Sequence, residues 1–224
     1  MTDAKLLLKS ANENAWYCLV TLYGEQGIDS FDPALAERNR DAWARWTTIP
    51  SASMELIRAF KQRAGDSVMP PRPEAAPDFS HTHFDKPVYF SGFHFRKYTD
   101  FSSASFSESV HFERAVFSGP TKFESVTFAG NVSFTSAHFD YADFSSAAFS
   151  RDAHFESVRF VQRADFELAT FAEPVSFESA EFSSFTDFSA ATFADAATFS
   201  SVKFTSEVTF SSAEIPCWNQ FRQR

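Results

Sequence analysis

The chain has 224 residues, a formal net charge of −9 at pH 7, and 30 Phe. No apolar stretch approaches the ~18 residues that a membrane-spanning helix needs, and the apolar run at 6–8 is too short for a signal-peptide core, so a cytoplasmic protein without a membrane segment is expected. Two Cys, Cys18 and Cys217, exclude a disulfide scaffold and a Cys-rich zinc site, and the acidic balance argues against direct contact with nucleic-acid phosphates.

Residues 1–69 differ in composition from the rest and read as a small helical module. Residues 4–11 have a helical composition. Residues 15–23 (AWYCLVTLY) are apolar on every side, which suits a buried helix, with a strand as the alternative. Asp32 and Pro33 supply the N-cap and first position of a helix to about Trp46. Met54, Ile57, Phe60 and Ala64 mark one face of another, opened near Ser51 or Ser53 and closed by Gly65. Trp16, Trp43 and Trp46 are the expected core. The module is expected to cap the first turn of whatever follows, or else to bind a partner. Residues 70–78, containing PPRPEAAP, read as a stiff linker.

From residue 79 the chain repeats. Phe79, Phe84, Phe90, Phe95, Phe101 and Phe106 are spaced 5, 6, 5, 6 and 5, and the alternation runs on to Phe210, with Ile215 in the next position. The period is therefore eleven, and only the step from Phe139 to Phe144 is shortened to five. From Ala104 to Ala213 an Ala, Val or Thr sits two before each of these positions, while Phe93 breaks the rule near the start. One small inward residue, one outward residue and one large inward residue make a two- to three-residue strand. Ser, Gly, Asp and Pro between these strands form turns. Units this short cannot make hairpins, but they can coil and stack on themselves.

On these residues the segment 79–215 resembles the pentapeptide repeat proteins, whose unit sets a small residue two before a central Leu or Phe and closes four units into a square coil. The resemblance implies a mainly β fold: a right-handed quadrilateral β-helix, a solenoid of about six coils. The extra residue in alternate units is expected to bulge alternate corners. Four interior columns follow: Phe106, Phe128, Phe149, Phe171 and Phe193; Phe112, Phe134, Phe155, Phe177 and Phe199; Phe117, Phe139, Phe160, Phe182 and Phe204; and Phe123, Phe144, Phe166, Phe188 and Phe210. Residues 216–224 (PCWNQFRQR) read as a second cap, with Trp218 and Phe221 covering the last coil.

No phosphate loop, dinucleotide fingerprint or nucleophile elbow is present. His81, His83, His94, His111, His138 and His154 are expected on the solvated surface, and the sequence implies no metal, cofactor or catalytic residue. A carbohydrate-active β-helix enzyme is a remote alternative that needs a cleft flanked by carboxylates.

The residues on either side of each Phe sort the surface into four faces. One is small and neutral, with Ser105, Thr127, Ala148, Thr170 and Thr192, and is a candidate for packing against a second rod, as a homodimer, or against the helical module. Another carries Asp100, Glu124, Asp143, Asp165, Glu167 and Asp187 against one Lys122. Residues 134–215 hold thirteen acids and four bases. The expected function is a non-enzymatic interaction scaffold that shows this acidic face to a protein partner with a basic surface. The resemblance implies a second version: some pentapeptide repeat proteins mimic duplex DNA and modulate bacterial type II topoisomerases such as DNA gyrase.

Overall fold

The computed structural model describes residues 8–27, 30–48 and 53–215. Residues 79–215 form a four-walled parallel β-solenoid of about six turns. Each wall is a ladder of short strands one coil apart. In the first wall Ser105 and Phe106 pair with Thr127 and Phe128, which pair in turn with Ala148 and Phe149. The second wall pairs Val110, Val132 and Ala153. The third pairs Phe95, Phe117, Phe139 and Phe160. The fourth pairs Thr99, Thr121, Ala142, Ala164 and Thr186.

The register puts like on like. Phe101 stacks on Phe123 at 4.8 Å and 2°, and Phe155 on Phe177 at 4.8 Å and 13°. The second and fourth columns meet edge to face across the interior, as Phe112 and Phe123 do at 5.6 Å and 84°. Full burial of a Phe side chain contributes roughly 1.5–3 kcal/mol, so a single ring per unit is enough to fill a narrow tube and hold its walls. The small inward residues fill what remains. Thr99, Thr121 and Thr186 are wholly buried there, and each hydroxyl donates to the carbonyl two residues earlier, at 3.0, 3.2 and 3.2 Å.

The two corner types are physically distinct. Outside the shortened unit the five-residue corners are tight turns in which the residue three past the Phe donates to that Phe's carbonyl, as Ala104 does to Phe101 and Ala115 to Phe112, both at 3.0 Å. Their third residue is left-handed: Ser103, Arg114, Ser125 and Ser157 all have φ of 56°. A positive φ at this place defines a type II turn. Among the described residues no six-residue corner contains a left-handed residue. Because each turn advances 22 residues, tight corners stack on tight ones. The shortened unit lies where the third and fourth walls meet. There Val116–Lys122 and His138–Asp143 run straight through the corner, and the pairing slips by one between Phe139 and Tyr141. Ala142 then meets Ala164, so the slip is confined to one rung.

The amino-terminal residues cover the first rung. The helical reading of residues 4–11 does not hold in its described part. Lys9–Ser10 is a strand parallel to Thr82–Phe84, and Ala11–Glu13 is a 3-10 turn. Lys9 donates its N–H to the carbonyl of His81 at 2.8 Å. The solenoid's open edge offers unpaired backbone groups, and pairing with them outweighs a weak helix preference. Helix α1, Ala15–Val20, starts on Asn14, whose side chain accepts from the Trp16 and Tyr17 amides and donates to the Asp78 carbonyl and the Thr82 hydroxyl. Helix α2, Pro33–Thr48, starts on Asp32, which accepts from the Ala34 and Leu35 amides. Helix α3, Met54–Ala64, is capped by Ser53 and closed by Gly65 at φ 86°. Its buried face is Leu56 and Phe60, whereas Met54, expected on that face, stands exposed at the first helical position.

Trp43 reaches the end of the Phe stack: its ring is 5.1 Å from Phe95 and 6.0 Å from Phe93. Among the described residues no strand of the third wall precedes His94–Phe95, so a large ring at Phe93 fits where later units need a small residue. Trp46 donates to the Pro71 carbonyl and Lys97 to that of Pro73, which fixes the Pro-rich stretch between α2 and the first rung. Glu25 receives Arg63 at 2.9 Å and Lys86 at 2.7 Å, joining α3 to the solenoid. Residues 216–224, and with them the cap expected around Trp218 and Phe221, lie outside the described residues. Phe204, in the last rung, is half-buried.

Candidate interaction surface

The acidic column sits on the fourth wall, one residue before Phe101, Phe144, Phe166 and Phe188, with Lys122 in the same place before Phe123. Asp100, Asp143, Asp165 and Asp187 accept the N–H two residues on, from Ser102, Ser145, Glu167 and Ser189, at 2.8, 3.0, 3.1 and 2.9 Å. Asp suits this place because its short carboxylate satisfies an amide just before the chain turns. The column is thus partly a turn device. Sequence reasoning read only its charge.

Asp165 and Asp187 belong to a surface face by the sequence pattern, yet their side chains are only 12% and 14% exposed. Arg163, at the adjoining corner, reaches into this column. It bonds Asp165 at 2.7 Å and Asp187 at 3.5 Å, and its guanidinium lies 5.2 Å from the centre of the Phe185 ring. Arg163 occupies the bulge of a six-residue corner, a position that sorting only the residues beside each Phe does not reach. Burial pushes the Asp165 carboxyl up, and the Asp143 and Asp187 charges add to that. The Glu167 amide and Arg163 oppose it. The Asp165, Glu167 and Asp187 carboxylates gather within 4.8 Å of one another. Glu124 is exposed and bonds Lys122 at 3.4 Å. Glu167, Glu178, Asp195, Glu207 and Glu214 are exposed and form the freely presented acids of the distal half.

The second wall carries paired His and Glu. His111 and His154 align through Ser133, and each Nδ1 lies 3.0 Å from a Glu oxygen, of Glu113 and Glu156 respectively. The Tyr89 ring stacks on His111 at 4.4 Å. All six His are half-buried, not fully solvated. Burial works against the Glu113 carboxylate, but hydrogen bonds from His111 and Ser91 hold it down to about 2. Glu113 lines a groove with Arg40, Ser91, Gly92, Arg114 and Thr135. The first wall presents Ser105, Thr127, Ala148, Thr170 and Thr192 along one line, as the register requires. Among the described residues no helix is long and apolar enough to cross a membrane.

A family model described as pentapeptide repeats (9 copies) matches residues 79–126 and 101–147. No curated protein matches the chain.

Proposed function

The repeat region belongs to the pentapeptide repeat family, and from that premise we propose that the protein is a non-enzymatic interaction scaffold whose distal half offers an acidic surface to a basic protein partner. One observation carries this reading: residues 134–215 hold thirteen acids against four bases on a rod whose interior is packed with Phe. A rigid surface loses little conformational entropy on binding, and its summed field steers a basic partner toward it. Each exposed pair contributes only about 0.2–1 kcal/mol, so affinity arises from the array.

The test is titration with a basic protein such as lysozyme at about 0.05 M and about 0.5 M salt, where the Debye length falls well below 10 Å. Reversing Glu167, Glu178 and Glu207 to Lys is expected to abolish low-salt binding without unfolding the rod, because these side chains are exposed. Binding that ignores salt and survives the triple reversal would overturn the proposal.

A DNA-mimicking reading, with DNA gyrase as partner, draws support from Asp143, Asp165 and Asp187 standing on successive rungs of one wall. Arg163 neutralises part of that line and weakens the likeness to a phosphate backbone. Salt-sensitive binding of purified gyrase, competed by duplex DNA, would favour it over the general scaffold.

A further inference from the structure

The corner between the third and fourth walls carries a column of its own. The residues immediately before Thr99, Thr121, Ala142, Ala164 and Thr186 are Tyr98, Pro120, Tyr141, Arg163 and Phe185. Those five inward residues are in register, so the corner residues stack at about one strand spacing, roughly 4.8 Å. Pro120 and Tyr141 are themselves paired, because the shortened unit loses its residue ahead of Tyr141 and keeps the ring in line. This corner ridge, three aromatic rings alternating with Pro120 and Arg163, runs beside the column of Asp100, Lys122, Asp143, Asp165 and Asp187.

Arg163 shows what this ridge accommodates. Its guanidinium lies over Phe185, and its Nη2 reaches carboxylates on two successive rungs. Its Nε is buried and has no partner among the described residues. The same pieces recur without a guanidinium. Burial first, and then the charges of Asp143 and Asp165, push the Tyr141 hydroxyl up, while the neighbouring cations Arg163 and Lys122 oppose them. Tyr98 donates to Asp100 at 2.9 Å and is 37% exposed. A planar cation can stack on such rings and bond the adjacent carboxylate with its edge, whereas an ammonium is a compact, strongly hydrated point charge.

We propose that this corner is a docking strip for an arginine-bearing segment of a partner protein, whose guanidinium groups stack on Tyr141 and Tyr98 and bond Asp143 and Asp100 in the arrangement that Arg163 makes with Phe185, Asp165 and Asp187. The inference rests on the scaffold reading above and names the chemistry of its partner.

Two synthetic peptides, four Arg-Gly repeats and four Lys-Gly repeats, separate the two ideas by fluorescence anisotropy at low salt. The Arg peptide is expected to bind about fivefold to tenfold more tightly than the Lys peptide. The double variant Tyr98→Ala, Tyr141→Ala is expected to erase that preference while leaving Lys-peptide affinity within about twofold. Circular dichroism checks that the variant keeps its fold, and the single variant Tyr141→Leu, which retains bulk without a π face, serves if it does not. Equal, salt-sensitive binding of both peptides would overturn arginine recognition and leave the acidic scaffold intact. Retention of the Arg preference in the folded variants would overturn the strip as its source. Failure of both peptides to bind would count against both proposals.

Discussion

The indole N–H of Trp43 donates to the carbonyl oxygen of His94 at 2.9 Å, while its ring lies 5.1 Å from that of Phe95. One residue of α2 thus pairs a backbone group at the edge of the first rung and covers the end of a Phe column. Trp43→Ala is expected to cost about 3–5 kcal/mol, the range for removing a buried aromatic. Trp43→Phe keeps most of the ring and loses the hydrogen bond, and is expected to cost about 1–3 kcal/mol. Urea unfolding followed by far-ultraviolet dichroism measures both. Equal losses would mean that the ring contributes nothing beyond its N–H.

The interior columns make a sharper comparison. Phe155 stacks between Phe134 and Phe177, at 4.9 and 4.8 Å. Phe155→Ala opens a cavity between two rings and is expected to cost about 3–5 kcal/mol. Ser157, two residues on, is exposed on a tight corner at φ 56°, and Ala190 already holds the equivalent place at φ 54°. Ser157→Ala is expected to change stability by less than about 0.5 kcal/mol. Equal losses at the two sites would break the register.

Much of this fold was legible because each unit repeats the same constraint. The spacing of Phe101, Phe106, Phe112 and Phe117 alone implied which rings stack, and the small residue two before each implied the inward face. What escaped were positions where one rung differs from the next. Arg163 and Tyr141 lie in the corner bulges, outside the alternation, so the pattern assigned them no neighbours. The depth of Asp165 and Asp187 is not in the pattern, because alternation gives direction but not depth, and Arg163 covers them. The Lys9–Ser10 strand was illegible locally, since its pairing partner lies over seventy residues away.

Gly130 occupies a six-residue corner where a methyl group would overlap the backbone of Glu108, one coil earlier. Backbone atoms of a stacked rung cannot give way singly. Gly130→Ala is therefore expected to destabilise by about 1–3 kcal/mol, the usual range for overpacking. A change below about 0.5 kcal/mol would show that this corner moves independently of its neighbour.

Leu168 is the reverse case. It is 53% exposed and held at φ 59° in a tight corner, where its branched bulk gains little from burial. A left-handed backbone costs an L-residue roughly 1–2 kcal/mol, and glycine adopts it freely. Glycine also adds entropy to the unfolded chain, which returns about 0.4–1 kcal/mol of that gain. Leu168→Gly is expected to stabilise by about 0.5–1 kcal/mol, read as a higher urea midpoint with unchanged slope. Destabilisation would mean that the Leu168 side chain is covered by something in solution.

Acid should act on the second wall in a defined direction. Glu113 is held at about 2 against an ordinary value of 4.5, because the hydrogen bonds from His111 and Ser91 outweigh its burial. A carboxyl whose folded value is depressed stabilises the fold above its unfolded value, and that contribution is lost as pH falls from about 4.5 toward about 2. The side chain is 32% exposed, so solvent screening reduces the contribution to about 1 kcal/mol. Asp165 works in the opposite sense: its raised carboxyl favours the protonated fold, so its protonation adds stability as pH drops toward 3.8. The two are separable by substitution. Glu113→Gln removes the titration and is expected to lose stability at pH 6 but to lose less than the parent protein between pH 6 and pH 3. Asp165→Asn keeps an acceptor for the Glu167 amide and is expected to steepen the acid loss, since the group that gained from acid is gone. Parallel pH profiles for the parent and the Glu113 variant, measured by urea unfolding, would show that the His111–Glu113 pair carries no net stability.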